Sequence, residues 1–191
     1  MYEKLKKGPV FKEAIEDTIP RKPLVEEIRQ ITTPAGKSRL YPVIIGEHGT
    51  GKTSLITLAV NSIDEPKGVV YADMDDEETD AAQLIQEALG WSPDPLLDSA
   101  KPASMHDVLR RFSHLAIKYR QEYGRIPVLI IDNTNKLAQK QEPLLGQLQD
   151  YAKNAADKGI ATVVFVSSEG RVPRRMMRKS IMFIVLCTCT N

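Results

Sequence analysis

Residues 41–62 read YPVIIGEHGTGKTSLITLAVNS: an apolar run, a glycine-rich break, and then a helical pattern. The spacing predicts a buried strand over Tyr41 to Ile45 and a helix over Lys52 to Ser62. The break itself, GEHGTGKT from Gly46 to Thr53, fits GxxxxGK[ST] between a strand and a helix, the context this pattern requires. A chain of phosphates brings several negative charges that must be met by donors at close range. A loop that wraps such an anion has to turn its N–H groups inward, where side chains would obstruct them. Gly46, Gly49 and Gly51 permit that wrapping, and Glu47, His48, Thr50 and Ser54 complete the cradle. The helix that follows starts with its positive dipole end at the anion, Lys52 reaches the β and γ oxygens, and the Thr53 hydroxyl suits Mg²⁺. His48 reads as a tolerated variable position rather than a base. A glycine-rich turn matching by chance is the competing explanation, and the strand before it and helix after it weigh against that.

Outward from this stretch, short apolar runs alternate with helical segments, as in a parallel sheet with crossover helices. Further strands are expected at Gly68 to Asp73, Pro127 to Ile131, Ala161 to Val166 and Ile181 to Leu186. Further helices are expected at Thr79 to Leu89, Met105 to Tyr123 and Leu144 to Lys158, the last closed by Gly159. Trp91 to Ser104 holds three prolines and reads as a surface loop. Before the core, Met1 to Lys7 reads as a solvated lysine-rich lead-in to an amphipathic helix around Phe11 to Glu16. A second helix begins near Pro23 with Leu24, Ile28 and Ile31 on one face. The division is a helical lead-in over 1–36 and an α/β core over 37–191.

The 191 residues suit one α/β domain, and 26 basic against 25 acidic side chains give a net charge of +1. That balance gives no bulk reason to expect nucleic acid as a partner. Cys187 and Cys189 have no second pair or His cluster to complete a zinc site and read as reduced thiols. With no leader and no run long enough to cross a bilayer, an intracellular place, cytoplasmic or nuclear, is expected. His106 and His114 share no helical face and read as structural or surface residues.

The run VLIID, Val128 to Asp132, is an apolar strand ending in a carboxylate and resembles the Walker B element of P-loop proteins. Beside the phosphate cradle, Asp132 would hold Mg²⁺ or one of its waters; an Asp that only caps the next turn is the bland alternative. The next residue, Asn133, has an amide that orients water but cannot accept its proton at neutral pH. Asp73 and Glu169 are the carboxylates that could replace it. The segment RVPRRMMRK, 171–179, offers Arg171, Arg174, Arg175 and Arg178 as charge-stabilising fingers, with Arg175 taken as the candidate. A solvated basic helix, or a surface for a second copy or a protein partner, is an equal reading. TNKLA, from Thr134, begins like the guanine motif NKxD, but Ala138 stands where an Asp is needed, so ATP is favoured over GTP.

Taken in order, GEHGTGKT, VLIIDN and VVFVSSEG look like an ASCE-division P-loop NTPase of the AAA+/STAND type. The archaeal-ATPase-like group and the P-loop modules of fungal crinkler-like proteins are the nearest resemblances, and they cover roughly Ile19 to Leu186. The resemblance implies a sheet order of 5-1-4-3-2, ATP and Mg²⁺ as ligands, and hydrolase activity. The usual glutamate after Asp132 is replaced by Asn133, which implies slow hydrolysis or a nucleotide-sensing module without it. It also implies a polar sensor at Ser167 or Ser168, which could equally be serines opening a loop. Ile19, Pro20 and Arg21 would lie near the adenine. Relatives carry a C-terminal lid, and this chain is expected to stop before one.

Overall fold

An apolar run buried on both sides is stable only when both faces are covered, and the helical segments between the runs supply that cover. The computed structural model describes residues 1–11, 21–34, 36, 39–75, 79–92, 103–168 and 181–186. Its strands are β1 (Tyr41–Gly46), β2 (Val69–Asp73), β3 (Val128–Asp132), β4 (Thr162–Ser167) and β5 (Ile181–Leu186). They form one sheet in the order β2-β3-β4-β1-β5, every neighbouring pair parallel. This is the α/β architecture and the 5-1-4-3-2 order expected of a P-loop NTPase.

The helices are α1 (Tyr2–Lys7), α2 (Lys22–Thr32), α3 (Lys52–Asn61), α4 (Ala81–Ala88), α5 (Met105–Tyr123), α6 (Thr134–Lys140) and α7 (Glu142–Lys158). Strand alternation sorts the core into two halves. Val43, Ala72, Leu129, Ile131, Val163 and Phe165 face one way, against Ile85 of α4, Phe112 and Ala116 of α5, and Leu148 and Ala152 of α7. Ile44, Val69, Ile130, Val164 and Val166 face the other way, against Ile28 of α2 and Leu55, Ile56 and Val60 of α3. Pro42, which lacks an N–H, falls where β1 pairs only with β5; the β1–β4 register begins at Val43↔Phe165.

The ends of the long helices follow the expected chemistry. Ser104 caps α5 by accepting from the Asp107 N–H, and Gly124 (φ 68) and Gly159 (φ 63) close α5 and α7 in the left-handed region. Two expectations are corrected. Met1 to Lys7 is not a solvated lead-in: Leu5 is buried, and the Lys67 and Gly68 N–H groups donate to Lys6 and Leu5 carbonyls. Residues after Asp132 turn at once into α6, where no helix is expected. The amphipathic helix around Phe11 to Glu16 lies, beyond Phe11, outside the described residues. So do most of the loop from Trp91 to Ser104 and both cysteines.

Candidate functional site

Because all five strands run the same way, their carboxyl ends share one edge, and the polar residues that finish them meet there. β1 ends in Gly46, β2 in Asp73, β3 in Asp132 and β4 in Ser167. The sequence pattern places three of these strand ends one residue early. A polar or glycine terminus breaks the apolar run but still takes part in the ladder.

Between β1 and α3 the chain makes its tight turn through Gly49 (φ 79) and Gly51 (φ 77), conformations that an L side chain rarely adopts. A Cβ built at Gly49 would meet nothing within 4 Å, so that side of the loop is open. Gly51 is the N-cap of α3, whose first residues are Lys52 and Thr53. Lys52 is buried, and its Nζ donates to the carbonyls of Gly46 (2.9 Å) and Glu47 (2.8 Å). The side chain thus folds back over the loop it follows. Burial pushes the Lys52 ammonium below its usual value, and Asp132 partly offsets this. Thr50 is buried, with its hydroxyl donating to the Glu47 carbonyl at 2.9 Å. Glu47, His48 and Gly49 are exposed at the tip, and Thr53 and Ser54 are half-buried.

Thr53 joins the two halves of the site: its hydroxyl donates to Asp132 Oδ2 at 2.9 Å, across 79 positions of sequence. Asp132 is 1% exposed and accepts two further bonds, from the Tyr71 hydroxyl on Oδ2 (2.7 Å) and from the Asn133 N–H on Oδ1 (2.7 Å). Burial raises the Asp132 carboxyl above its ordinary value, and the bonds from Tyr71, Asn133 and Thr53 pull it partway back. A hydroxyl and a buried carboxylate in contact beside a glycine loop form a hard oxygen donor set that fits Mg²⁺ bound with a phosphate. Tyr71 is the residue that sequence reasoning missed. Its signal is a polar-tipped aromatic in β2, two residues before Asp73 and opposite Ile130 in the register.

Asn133 follows in a left-handed conformation (φ 55), and its Nδ2 donates to Asp73 Oδ1 at 2.7 Å. Asp73 and Asp132 are register partners across β2 and β3. Ser167 is fully buried beside Ile45, its partner in β1, and Ser168 is half-buried. The Thr134 hydroxyl ties the start of α6 to β4 through the Val166 carbonyl at 2.8 Å. Arg21 caps α2 and donates from Nη2 to the Thr50 carbonyl, which places it on the glycine loop. Pro20, Glu169 and Arg175, with the rest of 171–179, lie outside the described residues. His106 and His114 are exposed on α5.

No helix among the described residues is long and apolar enough to cross a membrane. No curated protein sequence matches the chain. Among solved structures, a Walker-type ATPase of Pyrococcus abyssi is similar at 15% identity and a TM-score of 0.57, over 90% of this chain and 54% of that one. Cdc6p from Pyrobaculum aerophilum is similar at 16% identity and 0.54, over 91% and 47%. Drosophila ORC bound to DNA is similar at 16% and 0.51, over 80% and 39%. The chain spans about half the length of the first two. At these identities the likeness is one of fold. A sequence profile described as an AAA domain matches residues 35–172. The glycine loop, the Thr53–Asp132 contact and that match together make this chain a member of the AAA domain family, a P-loop nucleotide-binding domain of the ATPase kind.

Proposed function

We propose that this domain binds ATP with Mg²⁺ and hydrolyses it slowly, as a nucleotide-dependent switch. The observation that carries the reading is the contact of Thr53 with buried Asp132 directly behind a loop held left-handed at Gly49 and Gly51. Backbone N–H groups of Gly46 to Thr53 with Ser54 hold the phosphates, and Lys52 exchanges its loop carbonyls for β and γ oxygens. Thr53 and Asp132 hold the metal, which when bound supplies charge neutralisation across those oxygens. Ser167 senses the γ-phosphate from the end of β4. Arg21 braces the loop and, with Pro20, borders the adenine. Arg175 serves as the finger, and the 171–179 segment as the docking surface for a second copy or a protein partner. Within the AAA+ group, the domain is then of the STAND, archaeal-ATPase-like type, akin to crinkler-like P-loop modules. The lead-in over 1–36 then serves as an accessory to a core over 37–191 that functions together with a lid.

Release of γ-phosphate by the purified chain tests the enzyme reading. Turnover above a Lys52→Ala control is expected, and its absence removes the hydrolase assignment. Stabilisation by ATP beyond that by GTP tests the base. A second reading, a nucleotide-sensing scaffold without useful hydrolysis, is favoured by Asn133, since no carboxylate directly follows Asp132. Under that reading, Asn133→Glu raises turnover above a silent wild type.

A further inference from the structure

We infer that Asp73, held by Asn133, is the general base of the site. This rests on the ATPase reading above and supplies the proton acceptor that Asn133 cannot be.

Among the described residues, the carboxylates at the carboxyl edge of the sheet differ in what holds them. Asp132 is buried and has both oxygens committed to three donors. Asp75 is engaged with Lys136, whose Nζ lies 2.5 Å from its Oδ1. Glu47 is exposed on the glycine loop after β1, and among the described residues no hydrogen bond orients its carboxylate. Asp73 differs from all of these. It is exposed at the end of β2, level with Asp132 in the register. Its bonds, from Asn133 Nδ2 (2.7 Å) and the Asp75 N–H (3.0 Å), both fall on Oδ1. Among the described residues Oδ2 accepts none, so the carboxylate is oriented through one oxygen and available through the other.

The segment carrying it is fixed from two sides. Asn133 and Lys136, the cap and a first-turn residue of α6, bind Asp73 and Asp75 respectively, and the Met74 N–H donates to the Asp132 carbonyl at 3.1 Å. The metal-side carboxylate and the proposed base are therefore parts of one rigid corner. In the reaction, the oxygen of water bonds to the γ-phosphorus as the bond from that phosphorus to the bridging oxygen breaks. ADP leaves with the electron pair, and the water proton passes to Asp73 and from there to solvent. Asn133 is a positioning residue, since its amide aims the carboxylate and takes no proton.

A structural explanation competes, because an Asp accepting from the N–H two residues on is also an ordinary turn-former. Asn forms that turn equally well, which makes Asp73→Asn the discriminating change. The measurements are γ-phosphate release and the thermal shift given by the β,γ-methylene analogue of ATP. They are made on wild type, Lys52→Ala, Asp73→Asn, and the exchange variant Asp73→Asn with Asn133→Asp, which swaps donor and acceptor without changing size. Asp73→Asn is expected to lower turnover about 100-fold or more, the scale of a general base, with the analogue shift kept. The exchange variant recovers at least about a tenth of wild-type turnover, since a carboxylate is again in the pair. Asp73→Asn turning over within a factor of about two of wild type overturns the inference. If Asp73→Asn fails to bind the analogue, the exchange variant decides: recovered turnover supports the base, and binding without turnover, or no binding, overturns it. A wild type no faster than Lys52→Ala fells the ATPase reading itself, and Asp73 with it, an outcome told apart by the silent wild type.

Discussion

Replacing Asp132 with Asn separates what the buried carboxylate does for function from what it does to stability. The side chain is 1% exposed and accepts three bonds, from Thr53, Tyr71 and the Asn133 N–H. An amide keeps the Asn133 bond on its oxygen and presents its NH₂ to two hydroxyls that can rotate to accept. Bonds to a charged group are worth about 1.5–3 kcal/mol and neutral ones about 0.5–1.5, so roughly 3 kcal/mol of charge assistance is lost over three bonds. Against this stands the burial of an ion, an effective penalty of several kcal/mol. The Asp132 carboxyl is raised, chiefly by burial, so the penalty outweighs the bonds. The sign follows from linkage. A carboxyl whose folded value exceeds its unfolded one contributes stability fully below the unfolded value, about 3.9, and loses it as pH rises through the folded value. Asp132→Asn, which has no proton to lose, should therefore match wild type most closely near pH 4 and exceed it at neutral pH by an amount on the order of 1 kcal/mol, about 2–4 °C in Tm for a chain of this size. Urea melts with a chelator present, taken from acid to neutral pH, measure the difference. With Mg²⁺ and ATP at 100 times the Kd, wild type gains about 2.7 kcal/mol, and the variant should lose the Mg²⁺-dependent part. A variant less stable than wild type at neutral pH, or a full Mg²⁺-dependent gain in the variant, refutes the reasoning.

Lys52→Ala removes the donor that spans Gly46 and Glu47, and should abolish the thermal shift by ATP under conditions where wild type gains about 2.7 kcal/mol. Tyr71→Phe takes one hydroxyl from Asp132 Oδ2 and should cost about 1.5–3 kcal/mol in urea melts at neutral pH, falling as acid protonates the carboxyl; an unchanged midpoint would show the bond to be idle. Leu5→Ala in α1 should destabilise by about 2–5 kcal/mol despite lying near the N-terminus, and a loss below about 0.5 kcal/mol would mean α1 is not part of the core. Gly68→Ala should be among the most damaging single-methyl changes, because its Cβ would fall 2.6 Å from the Tyr119 ring at φ 69; proteolytic susceptibility and urea midpoint both report it.

The sequence made the glycine loop legible because everything it needs is local: a strand, then three glycines, a lysine and a threonine within residues 46–53. The sheet was legible for a related reason, since runs such as VLIID and TVVFVS are buried on both faces and carry no competing pattern. What escaped depends on distant neighbours. α1 offers one buried side chain, Leu5, and the partly buried Tyr2 among lysines, and its place is set by bonds to Lys67 and Gly68 rather than by a full helical period. α6 is seven residues long, between a left-handed Asn133 and Pro143, too short for a helical period to show. The Tyr71 bond to Asp132 exists only because β2 and β3 pair in a particular register, which no local pattern announces. Asp73 was visible as a carboxylate at a strand end; its orientation by Asn133 was not.

The backbone at position 133 gives a physical reason for the proposed base to sit on the neighbouring strand. β3 ends at Asp132 and α6 begins at Thr134, so a single residue must turn the chain from strand to helix. It does so at φ 55 and ψ 35, and Asn133 is the one non-glycine residue with positive φ among those described. Left-handed geometry costs an ordinary L residue roughly 1–2 kcal/mol, and Asn and Asp bear it best through local hydrogen bonds. A glutamate at 133 would meet that strain and would also bring its charge close to both Asp132 and Asp73. Asn relieves both problems, because its side-chain amide is neutral and donates to a carboxylate on the neighbouring strand. That carboxylate is Asp73, since the β2–β3 register sets the last residue of one strand opposite the last residue of the other. The tight entry into α6 and the position of the proposed proton acceptor are then two consequences of the same turn.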